Sequence, residues 1–164
     1  MVDPDLAAVV EHSGGSYPVV AGWGVIERLG DKFVDLGIAG PVYIITDENV
    51  MHPYGRAAQW ALQRSGIAAH CFIIPAGETS KNFGLAQAIY EWLVGLKAER
   101  GHAIVAVGGG VVGDLAGFVA STFIVSSLAI GQSLIELILI VTVAFDEHAV
   151  EGSGSVISYS KVTI

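Results

Sequence analysis

The feature that most constrains the fold of this chain is a set of three continuous apolar runs, each of strand length. They read "PVYIITD" at 41–47, "IAAHCFIIP" at 67–75 and "AIVAV" at 103–107, and segments with helical spacing separate them. Strands that are apolar throughout need cover on both faces, which is typical of a parallel sheet. Right-handed crossovers then place helices on both sides. The sequence therefore predicts an α/β fold with a doubly wound, mostly parallel, Rossmann-like sheet.

An earlier strand and three amphipathic helices complete this prediction. A short strand at 17–21 precedes the first helical segment, which suggests that the β-α-β pattern begins there. Asn49 is a possible cap of the second helix, with Pro53 near its first turn, and glycines at 37 and 66 follow helices as left-handed terminators do. The side chains expected to face inward are Ile26, Leu29, Phe33 and Leu36, then Tyr54, Ala58, Ala61 and Leu62, and then Phe83, Ala86, Ile89, Tyr90, Leu93 and Leu96.

Composition restricts the partners of the chain. Only 15% of its residues are charged, against roughly 25% in an average soluble domain, so we expect much of its surface to be covered. A formal charge of -8 without a Lys/Arg cluster disfavours nucleic acid and anionic membranes as partners. The single cysteine, Cys71, and the lack of a basic segment before an apolar core at the start favour the cytoplasm.

Ligands of doubly wound sheets bind beyond the carboxyl ends of the strands, and two of these ends carry polar residues. Asp47 follows the first apolar run, where a carboxylate either caps the next helix or accepts hydrogen bonds from a ribose. The second run leads into "PAGETSK", in which Gly77 permits a tight backbone and Glu78 and Lys81 offer opposite charges. Thr79 or Ser80 is a candidate cap of the following helix, and an ordinary charged turn is the alternative.

The third strand end is a glycine turn. Gly108, Gly110 and Gly113 satisfy G-x-G-x-x-G between a strand and a helix, where backbone N–H groups and the positive helix end attract phosphate. Close packing of helix on sheet is the alternative explanation of the glycines. The motif follows a late strand and lacks an acid about 20 residues on, unlike the usual dinucleotide fingerprint. Asp114 is expected in the first helical turn, facing whatever the turn holds.

Three of these phrases together resemble a known family. "TDEN", "PAGETSK" and "GGGVVGDLAGFVAST" are similar to the N-terminal nucleotide-binding domain of the 3-dehydroquinate synthases, over roughly residues 17–123. The resemblance implies a lyase of the shikimate pathway, and hence of aromatic amino acid biosynthesis. Such an enzyme uses NAD and a divalent metal to cyclise a seven-carbon phosphate with loss of phosphate. Related sugar-phosphate cyclases, such as 2-deoxy-scyllo-inosose synthase, are the alternative.

The resemblance also implies a cofactor site. Its pyrophosphate would lie on the glycine turn and its nicotinamide end near Asp114. The metal, zinc or cobalt, would be held by a C-terminal helical domain for which this chain has no room, so no metal ligand and no catalytic residue is assigned. The further partners implied are a phosphorylated substrate and a second copy of the chain. The implied NAD contacts are Asp47, Glu48, Asn49, Glu78, Thr79, Ser80, Lys81, Gly109, Gly110, Val111 and Asp114.

The chain departs from the family after Phe123. Val125 stands where a substrate-binding arginine is expected, and the later family motifs do not appear. We therefore expect a domain at 1–123 and a divergent, strand-rich tail at 124–164 packed on it, with no turnover by this chain alone. The alternative is a non-catalytic truncated or engineered fragment. A membrane span within 119–145 is disfavoured by the break at 131–133.

Overall fold

The computed structural model describes residues 5–12, 15–38, 40–99 and 102–123, together with the backbone of 155–158. The strands are β1 (Leu6–His12), β2 (Gly15–Gly22), β3 (Val42–Asp47), β4 (Ala69–Ile74), β5 (Ala103–Val107) and β6 (Ser155–Ser158). The α-helices are α1 (Leu29–Asp35), α2 (Glu48–Val50), α3 (Arg56–Arg64), α4 (Phe83–Gly95) and α5 (Gly110–Phe123). Shorter 3-10 turns cover Val25–Arg28 and Glu78–Ser80, and a π-helical turn covers Met51–Gly55.

The parallel sheet confirms the predicted architecture. Its strand order is β4-β3-β5, and the central strand β3 pairs in parallel with both neighbours. Because side chains alternate along a strand, Val42 and Ile44 pack with α1 and α3, whereas Tyr43 and Ile45 pack with α4 and α5. Each face of the sheet thus has its own apolar core, and the helices cover both.

The strand predicted at 17–21 does not belong to this sheet, and that part of the prediction is wrong. It is the middle of β2, which pairs antiparallel with β1 on one edge and with β6 on the other. A short apolar run looks the same whichever strand it pairs with, so its local sequence carried no information on its partner. Apart from 155–158, the predicted tail lies outside the described residues, and the predicted division at Phe123 stays a prediction.

The segment after β3 confirms one of the two predicted caps and contradicts the other. Asp47, and not Asn49, caps the first helical turn, because its carboxylate accepts hydrogen bonds from the N–H groups of Asn49 and Val50. Pro53, which lacks an N–H donor, lies in the π-helical turn between α2 and α3. Along α3 the predicted inward residues Ala58, Ala61 and Leu62 are buried, as expected, and Tyr54 is partly buried.

Helix α4 also departs from the prediction at its start. Its cap is Asn82, whose side chain accepts the Leu85 N–H, so neither Thr79 nor Ser80 has this role. Phe83, predicted to face inward, is 83% exposed, because it is the first residue of the helix and lies beyond the main core. The later inward positions are confirmed: Ala86, Ile89 and Leu93 are buried, and Tyr90 and Leu96 are partly buried.

Helices α4 and α5 lie side by side on one face of the sheet. The rings of Phe83 and Phe118 meet edge to face with their centroids 6.0 Å apart. Further along, the Tyr90 hydroxyl contacts the Thr122 hydroxyl, and the Tyr90 ring stacks on Phe123. The amino-terminal ends of both helices therefore point to the same edge of the sheet. None of the helices in the described part of the chain has the length and apolar character needed to span a bilayer.

Candidate functional site

The carboxyl ends of β3, β4 and β5 lie at one edge because the three strands are parallel. After β3 the chain turns towards the face that carries α3, and after β5 it turns towards the face that carries α5. Neighbouring strands whose connections leave in opposite directions open a crevice, which is where such sheets bind ligands. The three predicted site segments therefore meet at this crevice.

The first segment, 47–49, is held by its own backbone and by the second segment. Both capping hydrogen bonds to Asp47 end on Oδ1, each 2.9 Å long. The Glu48 side chain reaches across to the second segment, where its Oε1 accepts a 3.3 Å hydrogen bond from the Ala76 N–H. Asn49 is exposed. The cap interpretation of Asp47 is thus confirmed, while its predicted cofactor contact stays a prediction.

The second segment is a tight turn with one buried hydroxyl. Gly77 has a φ of +104°, which its lack of a Cβ allows, as predicted. Ser80 is 3% exposed, and its Oγ donates a 2.6 Å hydrogen bond to the Pro75 carbonyl. Glu78 and Thr79 are exposed. Ser80 therefore stabilises the turn from its buried side, whereas Glu78 and Thr79 face solvent.

The three adjacent glycines of the third segment have two different roles. A Cβ added at Gly108 would lie 2.6 Å from Val112 Cγ2, so this glycine permits close packing of α5 on β5. A Cβ added at Gly109 or Gly110 would meet nothing within 4 Å, and both residues are exposed. Packing explains the first glycine only. The other two leave the backbone at the start of α5 open to an approaching ligand, which is what a diphosphate requires.

Lys81 and Asp114 form an ion pair at the mouth of the crevice. The Lys81 Nζ lies 2.9 Å from Asp114 Oδ2 and 3.1 Å from Glu78 Oε2. The hydrogen bond to Asp114, followed by that to Glu78, raises the pKa of Lys81 above its ordinary value. Asp114 lies in the second turn of α5, because the helix begins at Gly110. The prediction that it lies in the first turn is wrong.

Beside this ion pair, a groove of about 220 Å³ runs between the starts of α4 and α5. Sequence reasoning missed it because Phe83 had been assigned to the core and Phe118 had no assigned role. One signal was present: Phe118 follows Asp114 by four residues, so a helix places both on one side. The groove is lined by Lys81, Asn82, Phe83, Ala86, Asp114, Leu115 and Phe118.

The described residues do not suit a metal ion. Among them, no three His, Cys, Asp or Glu side chains come close enough together to share a cation. Two carboxylates near Lys81 are engaged by its ammonium group instead. The exposed glycine turn, by contrast, is open to a dinucleotide.

The sequence has relatives of known identity. Residues 71–138 match the family model described as "3-dehydroquinate synthase N-terminal". The 3-dehydroquinate synthase of Symbiobacterium thermophilum is 42% identical over 109 residues, which are 66% of this chain and 30% of that protein. The enzyme of Enterococcus faecalis is 41% identical over 108 residues, again 30% of that protein. The chain thus spans about 30% of the length of these curated relatives.

Solved structures share the fold. A crystal structure of 2-deoxy-scyllo-inosose synthase superposes with a TM-score of 0.59 and 26% identity, covering 76% of this chain and 32% of that one. A second structure of such an enzyme, complexed with carbaglucose-6-phosphate, NAD⁺ and Co²⁺, gives a TM-score of 0.60 at 23% identity, covering 76% and 31%. At 23% identity, this second similarity shows a shared fold.

Proposed function

We propose that this chain binds NAD at the carboxyl edge of the parallel sheet, because it resembles the N-terminal domain of the 3-dehydroquinate synthases. The observation that carries this proposal is the open backbone at Gly109 and Gly110. We assign the pyrophosphate to this turn and to Val111, the next residue of α5. The choice of cofactor is supported by a 2-deoxy-scyllo-inosose synthase of similar fold, whose structure is a complex with NAD⁺.

The physical basis is the positive end of α5. The first N–H groups of a helix have no partner within it, and the aligned peptide dipoles place about half a positive charge there. A 14-residue helix that starts at Gly110 provides such an end, and Gly108 keeps it tight against the sheet. A diphosphate can approach these groups because no side chain projects from the two exposed glycines.

The two neighbouring segments would recognise the rest of the cofactor. Both capping bonds of Asp47 end on Oδ1, and we assign its other oxygen to a ribose hydroxyl. Exposed Glu78, Thr79 and Asn49 lie on the solvent side of the crevice and suit peripheral contacts. Ser80 suits a ligand contact least, because its buried hydroxyl already donates to Pro75.

The reaction of the whole family is a wider proposal. We propose that the complete enzyme is a 3-dehydroquinate synthase in the cytoplasm, active as a homo-oligomer on a seven-carbon phosphate with NAD and zinc or cobalt. Curated relatives of that name at 41–42% identity support this reading over another sugar-phosphate cyclase. Since the chain spans about 30% of their length, we expect negligible phosphate release from it alone, and turnover on adding metal would contradict that expectation.

Calorimetric titration of the full chain with NAD tests the cofactor proposal. Three equivalent substitutions sharpen it: Gly110→Val at the open turn, Gly95→Val at the far end of α4, where an added Cβ also meets nothing, and Gly108→Val at the packed position. We expect Gly110→Val to fold and lose NAD binding, and Gly95→Val to bind like the native chain. Gly108→Val should lose stability. A folded native chain that takes up no NAD overturns the proposal, and so does undiminished binding by Gly110→Val.

A further inference from the structure

The strand β1 has an exposed apolar surface. Its sequence is LAAVVEH, and Val9 and Val10 are 54% and 36% exposed. Because successive side chains of a strand point to opposite faces, β1 is open to solvent on both faces at these two residues. Ala7, Ala8 and Glu11 are exposed as well. An apolar strand that is exposed in this way indicates a surface that another chain covers.

The strand β1 is also the outer strand of its sheet. The strand order is β1-β2-β6, so among the described strands β1 has a partner on one edge only. Val9 lies opposite Pro18, which has no N–H, so these two residues cannot form a hydrogen-bonded pair. In a non-hydrogen-bonded pair the backbone N–H and C=O groups of both residues point away from the partner strand. Those of Val9 therefore point to the outer edge of β1.

The start of β1 is held in place by contacts outside its own strand. The Ala21 N–H donates a 2.8 Å hydrogen bond to the Asp5 carbonyl, and the Asp5 carboxylate forms an ion pair with Arg28. Val20, which lies opposite Leu6 in β2, is 3% exposed and belongs to the core that α1 and α3 cover. The pair of strands is thus attached to the domain on one side, while the outer edge of β1 is presented on the other.

The sequence of β1 lacks the usual protection of an edge strand. Such strands commonly carry lysine or proline, which prevent pairing with a second chain, and β1 has neither. A shift of register between Leu6 and Ala8 affects only its first residues. Glu11 is its only acid, and if Val9 faced Val9 of an identical antiparallel strand, each Glu11 would lie near Ala7 of the other copy. Parallel pairing in register would instead place the two carboxylates side by side, which is unfavourable. The charge of β1 therefore suits antiparallel pairing with a second copy of itself.

We propose that two copies of this chain associate through the outer edges of their β1 strands, which pair antiparallel about a two-fold axis at Val9. Each Val9 donates its N–H to, and accepts with its C=O from, Val9 of the second copy. The contact uses the same surface on both copies, so it closes as a dimer, and the two sheets join in the order β6-β2-β1-β1-β2-β6. The inference rests on the homo-oligomeric state included in the proposed function and adds the surface that forms it.

Analytical ultracentrifugation of the full chain and of three valine variants tests this edge. Over about 1–100 µM protein, a range in which small interfaces associate, the native chain should show a monomer–dimer equilibrium. We expect Val9→Lys to weaken dimerisation about tenfold or more, because two ammonium groups would face each other across the axis. Val9→Thr, which keeps a β-branched side chain, should stay within about twofold of the native chain. Val94→Lys, which adds the same charge at a 65% exposed valine of α4, is the matched control and should dimerise normally.

Two results of this experiment overturn the proposal. A native chain that remains monomeric has no such contact. Undiminished dimerisation by Val9→Lys leaves the homo-oligomer standing but assigns it to another surface. Urea unfolding of each variant shows whether the fold is retained, which we expect because both substituted side chains are exposed.

Amide hydrogen exchange identifies what covers the edge. We expect the Val9 N–H to exchange more slowly as the protein concentration rises, in the native chain and in Val94→Lys. Slow exchange of this N–H in a monomer, at every concentration, would mean that another segment of the same chain pairs with β1, and the proposal fails. Calorimetry with NAD separates this failure from that of the cofactor proposal. A dimer that takes up no NAD removes the cofactor proposal alone, whereas a monomer that binds NAD removes the β1 contact alone.

Discussion

The Tyr43 hydroxyl lies 3.2 Å from Nδ1 of His102, close to the amino-terminal end of the parallel sheet and away from the crevice. The same nitrogen receives a 3.1 Å hydrogen bond from the backbone N–H of Glu99. The aromatic rings of His70 and Trp92 pack around Tyr43, with centroid distances of 6.0 and 5.7 Å. A nitrogen that accepts the Glu99 N–H cannot carry a proton itself.

This geometry predicts the tautomer of His102. With Nδ1 as the acceptor, the neutral ring carries its proton on Nε2. A long-range proton–nitrogen NMR spectrum of the folded chain distinguishes the two tautomers directly. Signals typical of protonated Nδ1 would contradict the prediction.

Tyr43 should make the fold sensitive to alkali. Burial, followed by the nearby charge of Glu99, raises the pKa of Tyr43 above its ordinary value of 10.0. The contribution of the neutral phenol to stability is therefore present below pH 10.0 and is lost as the pH rises towards the higher folded-state pKa. We expect urea unfolding of Tyr43→Phe to depend less on pH above this point than that of the native chain. An identical dependence in both proteins would show that Tyr43 does not titrate during unfolding.

Cys71 should react slowly in the folded chain. Burial raises the pKa of its thiol from 9.0 to about 11, so at pH 8 the folded state holds about a hundredfold less thiolate than the unfolded state. Because the folded pKa is the higher one, this contribution to stability is present below pH 9.0 and is lost as the pH rises through about 11. Alkylation by iodoacetamide with and without urea measures the ratio, and equal rates would contradict it.

Gly30 should be required for the packing of α1 on α3. An added Cβ would lie 2.2 Å from the Ala61 carbonyl oxygen and 2.4 Å from Ser65 Oγ. Since the first of these atoms is backbone, we expect Gly30→Ala to lower the free energy of unfolding by about 2–3 kcal/mol. Gly95→Ala, which enters open space at the end of α4, is the control and should not destabilise the chain. Urea denaturation compares them, and equal stabilities would refute the close contact.

Asp47 should separate helix capping from cofactor binding. Asparagine keeps an oxygen that accepts the Asn49 and Val50 N–H groups, so Asp47→Asn should fold with nearly native stability, whereas Asp47→Ala should lose about 1 kcal/mol. If the carboxylate also binds a ribose hydroxyl, Asp47→Asn weakens NAD binding about tenfold, because hydrogen bonds to charged groups are the stronger ones. Thermal unfolding and calorimetry give the two quantities. Native NAD affinity in Asp47→Asn would leave capping as the role of this residue.

Local sequence was sufficient for the features that depend on neighbouring residues. The runs that became β3, β4 and β5 were recognisable because strands covered on both faces must be apolar throughout. Gly37 and Gly66 were predicted to end helices, and both have the left-handed φ that glycine tolerates. The glycine turn at the end of β5 was likewise visible, because removing side chains is the local means of opening a backbone.

The sequence by itself thus determined the three strands of the parallel sheet, the positions of the helices and the tight turns, since these follow from the spacing of apolar residues and from the backbone freedom of glycine. It did not predict β1, the strand that pairs with β2. Tertiary structure decided the pairings between distant segments: β2 joined an antiparallel sheet, Phe83 remained outside the core and Lys81 met Asp114. The physical reason is that strand partners, burial and ion pairs depend on which surfaces the folded chain brings together. No local pattern along the chain specifies that choice.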